Sequence, residues 1–521
     1  MPVTTATTLS RPRARLSPPP LAGWLRPVAA AASGLCVALA FPPVGAVALL
    51  PVGLAGLMLC VRGARGRVGF GLGLLFGLGF MLPLLRWLTV IGVDAWIGLS
   101  LAESLFYAAM AMTWVWMRPY RWWPLGYALA WVAAEWLRAS VPFGGMPWGR
   151  VAFGVVDTTA ARFGRIGGTA LVALVVVFGV AAVVNAVERR RALRWPDLTA
   201  LGAVGALVAI GFAIPTGPAG AVGTAQVAAI QGNVPGDGMD AFAERRAVLD
   251  NHATTTREFA DRVGAGVEPA PDFVIWPENS TDIDPFTDSS AYDEIDAAVR
   301  AIGVPVLVGA VVDGPDDQHV QNMGIVWDPE SGPGAQYVKR HPVPFGEYIP
   351  FRGLLTRFID RLGQIPRDFA QGTRPGVLDV AGVPIGDVIC FEVAYDGLVR
   401  DVVSGGGQLL VVQTNNATYA GTGQLDQQFA ISRYRAIETG RTVVAAATNG
   451  ISGVVASDGT VVAEAAPRTQ AVLNEPVTLA DGVTWGTRLG FWVEVALALL
   501  GIGLAVWAGL GARRRAGRLA G

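Results

Sequence analysis

Eight apolar runs, at residues 28–41, 44–61, 68–91, 96–117, 122–137, 167–187, 198–214 and 489–510, constrain this chain more than any other feature. Inside a bilayer the backbone has no water to bond, so such runs fold as helices that satisfy their own N–H and C=O groups. Seven precede a polar insert at 223–488 and one follows it. The mean hydropathy of +0.44 exceeds what a soluble chain carries. The first run has the length of a secretion-signal core, but no small-residue cleavage site precedes the next run and Pro42-Pro43 follows directly, so it reads as a retained span. The first two runs are short and Pro-linked, and they fit either two spans or one re-entrant hairpin.

Arginines set the orientation. Arg62, Arg65 and Arg67, then Arg118 and Arg121, then Arg189, Arg190, Arg191 and Arg194, and finally Arg513, Arg514, Arg515 and Arg518 fall in alternate connections, on the side of a tail holding Arg11, Arg13 and Arg15. Positive charge marks the cytoplasmic side of a multi-pass chain in a bacterial cytoplasmic membrane. Residues 1–25 and 512–521 are then basic cytoplasmic tails, and 26–215 is a membrane domain of about seven helices with an extracytoplasmic arm at 138–166. Residues 489–511 are the last transmembrane helix, and the insert at 223–488 lies outside the cytoplasm. The net charge of -1 argues against a nucleic-acid partner, which calls for a basic face.

The insert has its own pattern. Strand-like runs at 225–234, 273–276, 305–312, 324–327, 383–389, 409–413 and 443–448 alternate with helix-like stretches at 241–263, 291–302 and 425–439. This is an α/β domain of roughly 260 residues, large enough for a core of its own.

Three polar residues each follow a strand-like run: Glu278 after 273–277, Lys339 after 336–338 and Cys390 after 383–389. Ligands and catalytic side chains gather beyond strand ends in α/β sheets, so the three can share a site. Lys339 is the only lysine among 40 basic residues, which points to a task for a compact ammonium with a tunable pKa. Cys36 and Cys60 lie in apolar runs, so no disulfide framework is implied and Cys390 stands alone in the insert. At a strand-to-helix turn, a helix dipole is expected to lower its thiol pKa.

The three supply a nucleophile, a base and a cation beside the oxyanion. Read singly, each has a plainer role: a buried structural thiol, a carboxylate capping Asn279-Ser280-Thr281, and a chance lysine. His252, His319 and His341 are rival bases, and a Cys390–His341 pair stays open. None of the three lies in metal-ligand spacing, so neither a metal nor a cofactor is expected. Glu103 and Glu135 fall inside apolar runs, where a carboxylate is costly and is either functional or paired within the bundle.

With those residues stand Gln231-Gly232-Asn233, Trp276-Pro277-Glu278, the twelve-residue stretch from Lys339 to Pro350, Cys390-Phe391-Glu392 and the stretch from Arg433 to Arg441. In this ordered set the chain resembles the nitrilase superfamily of carbon–nitrogen hydrolases, and within it the membrane-bound bacterial apolipoprotein N-acyltransferases. The resemblance implies a polytopic α-helical membrane bundle plus an extracytoplasmic α/β nitrilase-like catalytic domain, an α-β-β-α sandwich, at 223–488. It implies Glu278 as general base, Lys339 as oxyanion-side cation and Cys390 as a nucleophile that carries an acyl group as a thioester. Glu347 would hold the lysine or the nucleophile, Glu392 would support the cysteine loop, and Trp148 in Pro147-Trp148-Gly149 would contact substrate, although an interfacial belt tryptophan reads the same way.

The implied reaction moves an acyl chain from a membrane phospholipid to the α-amino group of a diacylglyceryl-cysteine at a lipoprotein N-terminus. The alternative is a membrane-anchored amidase or nitrilase acting on a small amide. The chain departs from the family where many relatives have Tyr and this one has Phe391, at Gly238-Met239-Asp240, and at the stretch from Thr414 to Tyr419; these departures bear on gating and lipid preference.

Overall fold

The computed structural model describes residues 23–190, 194–234, 245–357, 359, 362–363 and 366–520. The expected tail at 1–22, Arg191, Gly238-Met239-Asp240 and the first four residues of the helix expected at 241–263 lie outside the described residues.

The N-terminal half is helical: α1 (Leu25–Ala38), α2 (Leu49–Cys60), α3 (Gly66–Leu84), α4 (Val93–Met117), α5 (Trp123–Arg138), a four-residue α6 (Val151–Gly154), α7 (Gly164–Arg189) and α8 (Trp195–Ala213). Among the described residues, five helices are long and apolar enough to cross a membrane: α3, α4, the 159–189 segment containing α7, α8, and the C-terminal α14 (Trp485–Ala520). The runs expected at 28–41 and 44–61 differ from full spans. They yield helices of 14 and 12 residues, which at about 1.5 Å per residue fall short of a roughly 30 Å hydrocarbon core. The run expected at 68–91 is helical only to Leu84, one residue past Pro83, and continues as a 3-10 turn at Arg86–Val90.

Two sheets make up the insert. The first runs in the order β13 (Ala471–Ala480), β1 (Ala221–Gln231), β2 (Phe273–Ile275), β3 (Val306–Asp313), β4 (His319–Asp328) and β5 (Gly332–Val338), with β6 (Asp368–Phe369) pairing β4. The second runs β12 (Val461–Glu464), β11 (Gly453–Val455), β10 (Val443–Ala447), β9 (Leu409–Thr414), β8 (Val383–Ile389) and β7 (Val377–Val380). Val227, Ile275 and Leu307 of the first sheet meet Ile385, Ile389 and Val411 of the second in one apolar layer. The outer face of the first sheet packs on α9 (Arg245–Gly264) and α10 (Ser289–Ile302) through Leu249, Phe259, Ile295 and Val299. The outer face of the second is covered by α12 (Asp396–Ser404) and α13 (Gln424–Thr439); the short α11 (Arg352–Leu355) lies in the connection that precedes β6. The four layers are therefore α-β-β-α.

The layer holding α12 and α13 packs against the membrane helices. Val399, Val402, Ile431 and Tyr434 belong to the same hydrophobic core as Phe80, Trp114, Trp131 and Val177 of the membrane helices. Burial on this scale, at about 25 cal/mol per Å² of apolar surface, joins sandwich and bundle into one body.

Candidate active site

The ends of β2, β5 and β8 converge, and they bring Glu278, Lys339 and Cys390 together as the sequence suggests. Lys339 is 1% exposed, and its Nζ donates to Glu278 Oε1 and to Glu347 Oε1, each at 2.8 Å. Burial alone would strip its proton, but the two carboxylates hold its pKa well above the usual lysine value, so it remains an ammonium. Asn322 on β4 donates to the same two oxygens, at 2.7 Å to Glu278 and 3.2 Å to Glu347, and its backbone carbonyl accepts from the Lys339 N–H. The second oxygen of Glu278 accepts from the Asn415 N–H at 2.8 Å, so this carboxylate is turned inward instead of capping the turn that follows it. Gly309 on β3 lets that turn approach: a Cβ there would lie 2.0 Å from the Pro277 carbonyl oxygen.

Cys390 opens a 3-10 turn, Cys390–Ala394, and its backbone sits in the left-handed region at φ 56°, a conformation a non-glycine residue holds only under constraint. Glu392 supplies the constraint. Its Oε2 accepts from Ile389 N–H and Tyr337 hydroxyl, and its Oε1 accepts from Arg340 and His341 N–H, all between 2.7 and 2.9 Å. One buried carboxylate thus binds the cysteine turn to the loop after Lys339.

The expected fall in thiol pKa is corrected here. α12 does not begin until Asp396, and burial together with the facing Glu278 carboxylate pushes the Cys390 thiol up to about 12, against the pull of Lys339. The sulfur is therefore a thiol at neutral pH, and a nucleophilic role for it calls for a base. His341 is a poor candidate for that task. Its ring packs on Tyr395, with ring centroids 4.0 Å apart, and burial with the neighbouring Lys339 pushes its pKa down to about 4. His252 is buried beneath Gly232, and His319 pairs with Asp316.

Trp148 is 1% exposed. Its ring stacks on Phe391 at 5.3 Å and 5°, and its Nε1 donates to Gln427, whose amide in turn donates to the carbonyls of Pro42 and Leu84. It reaches the site through Phe391, not as an open face. Glu103 pairs with Arg138 at 2.8 Å, while Glu135 accepts from Val151 N–H and lies 3.9 Å from Arg150.

Sequence reasoning missed Asn322, Thr414 and the Arg150 cluster. Thr414, at the end of β9, places its hydroxyl oxygen 3.2 Å from Cys390 Sγ and 3.1 Å from Asn416 Oδ1. The strand expected at 324–327 stops short of Asn322, and Gln321 beside it makes that part of β4 read as a polar connection. Arg150 and Asp396 are 246 residues apart in sequence and meet only in the fold.

Three polar groups at strand ends of an α-β-β-α sandwich define a carbon–nitrogen hydrolase domain, here built into a multi-pass membrane protein. The carbon-nitrogen hydrolase family model matches residues 226–486, and the model of the apolipoprotein N-acyltransferase N-terminal domain matches 33–182. An apolipoprotein N-acyltransferase from Mycolicibacterium smegmatis is 38% identical over 516 residues, covering 91% of this chain and 83% of that one. One from Vibrio cholerae is 27% identical over 511 residues, covering 93% and 97%. The chain belongs to the apolipoprotein N-acyltransferase family and is an acyltransferase. Among solved structures, an amidase of the nitrilase superfamily from Nesterenkonia aligns over 51% of this chain and 93% of its own, at 16% identity and a TM-score of 0.37.

Proposed function

We propose that this enzyme transfers an acyl chain from a membrane phospholipid, through a Cys390 thioester, to the α-amino group of the diacylglyceryl-cysteine that begins an apolipoprotein. The observation that carries the reading is the buried Glu278–Lys339–Cys390 cluster on a domain whose α12–α13 layer shares its core with the membrane helices. The arginine-rich connections support a catalytic domain at 223–488 outside the cytoplasm, beside the outer leaflet in which both lipid substrates are confined. In the first half, Glu278 takes the thiol proton and sulfur attacks the ester carbonyl. The Lys339 ammonium faces the oxyanion, the C–O bond breaks, and the proton passes to the departing lysophospholipid alkoxide. In the second half, the lipoprotein amine attacks the thioester, Glu278 takes a proton from nitrogen, the C–S bond breaks and the thiol is restored.

Glu347 holds Lys339 through its 2.8 Å contact with the ammonium, and Glu392 shapes the turn. Trp148 backs Phe391, so that stacking stands where many relatives have a tyrosine hydroxyl. The test is an incubation of purified enzyme in liposomes with phospholipid and a synthetic diacylglyceryl-cysteinyl peptide. A peptide heavier by one acyl group, with the new chain in a hydroxylamine-stable amide, is the expected product, and Cys390→Ala gives none. Turnover of small amides with no acylated peptide would favour the amidase reading instead.

A further inference from the structure

Thr414 has one hydroxyl proton and two acceptors. Its Oγ1 lies 3.2 Å from Cys390 Sγ and 3.1 Å from Asn416 Oδ1, both with donor geometry. Neighbouring amides leave it no other assignment. Gln428 Nε2 donates to Thr414 Oγ1 at 2.8 Å, so the hydroxyl already accepts there. Asn416 Nδ2 donates to Gln424 Oε1 and Gln428 Oε1, at 2.8 and 2.9 Å, which turns Asn416 Oδ1 toward the hydroxyl. Gln424 Nε2 donates to Gln428 Oε1 at 2.7 Å and closes the ring. Thr414, Asn416, Gln424 and Gln428 are all buried, and each side chain meets its partners within this ring.

We infer that Thr414 is a further catalytic residue: its hydroxyl proton alternates between Asn416 and the Cys390 sulfur, and it donates to sulfur when the thiolate forms. This rests on the reading of Cys390 as nucleophile. While sulfur carries its proton it is a weak acceptor, and the hydroxyl rests on Asn416. When Glu278 removes that proton, the hydroxyl rotates to the sulfur anion, where a charge-assisted bond is the stronger of the two choices. On acylation, the thioester sulfur is again a poor acceptor and the hydroxyl returns to Asn416. Thr414 keeps its proton throughout, and no bond to it forms or breaks. The charged and titratable groups around the sulfur are Glu278, Lys339 and Tyr419, with Glu347 behind the lysine. Of these, only Lys339 shares with Thr414 the task of favouring the anion.

The test compares wild type, Thr414→Val and Thr414→Ser in two readouts: acylation of Cys390 by phospholipid, and the pH dependence of Cys390 alkylation by iodoacetamide, resolved by peptide mass from Cys36 and Cys60. Valine keeps the shape and removes the hydroxyl, whereas serine keeps the hydroxyl. The expected result is a valine variant whose alkylation profile is displaced so that the rate falls at least about tenfold at each pH between about 7 and about 10, as a rise of about one unit in the thiol pKa requires, with acylation slowed at least about tenfold, and a serine variant close to wild type. A merely structural threonine would leave the alkylation profile in place, so a valine variant with an unmoved profile overturns the proposal. A serine variant as impaired as valine also overturns it, since the hydroxyl would then not be what matters. Wild type that fails to acylate at Cys390 would instead remove the underlying reading, whatever the variants do.

Discussion

Lys339→Arg is expected to lower acyl transfer by about a thousandfold, the scale of removing one oxyanion-stabilising group, while the protein still folds. The ammonium nitrogen is a single point 2.8 Å from Glu278 Oε1 and 2.8 Å from Glu347 Oε1, in a site with no solvent to absorb a larger head. A guanidinium is a wide planar fork that pairs both oxygens of one carboxylate. Placed here it draws Glu278 into such a pair and away from the Cys390 thiol. Lys339→Met removes the cation altogether, leaves the buried Glu278 carboxylate facing the half-buried Glu347, and costs about 3–5 kcal/mol of stability as well as activity. The check is a single-turnover acylation rate beside a thermal unfolding curve in detergent. An arginine variant within tenfold of wild type would mean that positive charge alone is required there.

The second large effect is expected at Arg150, outside the cluster that does the chemistry. Arg150 is buried and pairs with Asp396 at 3.1 Å, with Glu494 of α14, and with Glu135 of α5 at 3.9 Å. Asp396 also accepts from Thr169 of α7 and from Arg435 of α13. Burial works against charge on Asp396, yet Arg150 and Arg435 hold its carboxyl well below the usual carboxylate range. Arg435 completes the path to the site by donating to the carbonyls of Val393 and Ala394, within the turn that Cys390 begins. The bundle thereby grips the nucleophile turn.

Arg150→Met leaves three acids around an empty position and is expected to cost about 3–5 kcal/mol. It is also expected to slow acylation about a hundredfold, since loosening a positioned group by an ångström has that effect. Adding Glu135→Gln, Asp396→Asn and Glu494→Gln should recover most of the stability, because none of the three acids then carries an unpaired buried charge, but not the rate. Stability lost with an unchanged rate in the folded fraction would show that the grip matters only for folding.

The meeting of Glu278, Lys339 and Cys390 was legible because each residue punctuates an apolar run, and because a lone lysine among arginines needs a local reason. The thiol pKa was misjudged because a helix-dipole argument considers the backbone ahead of Cys390 and not the burial and carboxylate around it. The motif from Arg433 to Arg441 was visible as a string, but its purpose was not. Arg435 pairs with Glu438 one turn along α13 and with Asp396 across the fold, and Arg441 donates to the carbonyls of Gly407 and Gly482; the contacts that leave α13 are the long-range ones. β13 escaped notice because Asn474, Glu475 and Pro476 interrupt its apolar pattern, a pattern tolerated where only β1 pairs with it. The short α1 and α2 have enough apolar residues for spans, and it is their breaks at 39–48 and 61–65 that shorten them.

The most direct measurement is the intact mass of the purified enzyme after incubation with a single defined phospholipid and no acceptor. An increase of one acyl group, carried by the Cys390 peptide, released by hydroxylamine and absent in Cys390→Ala, is what a thioester-forming acyltransferase requires. An unmodified Cys390 in a preparation that nevertheless acylates the lipopeptide would contradict it.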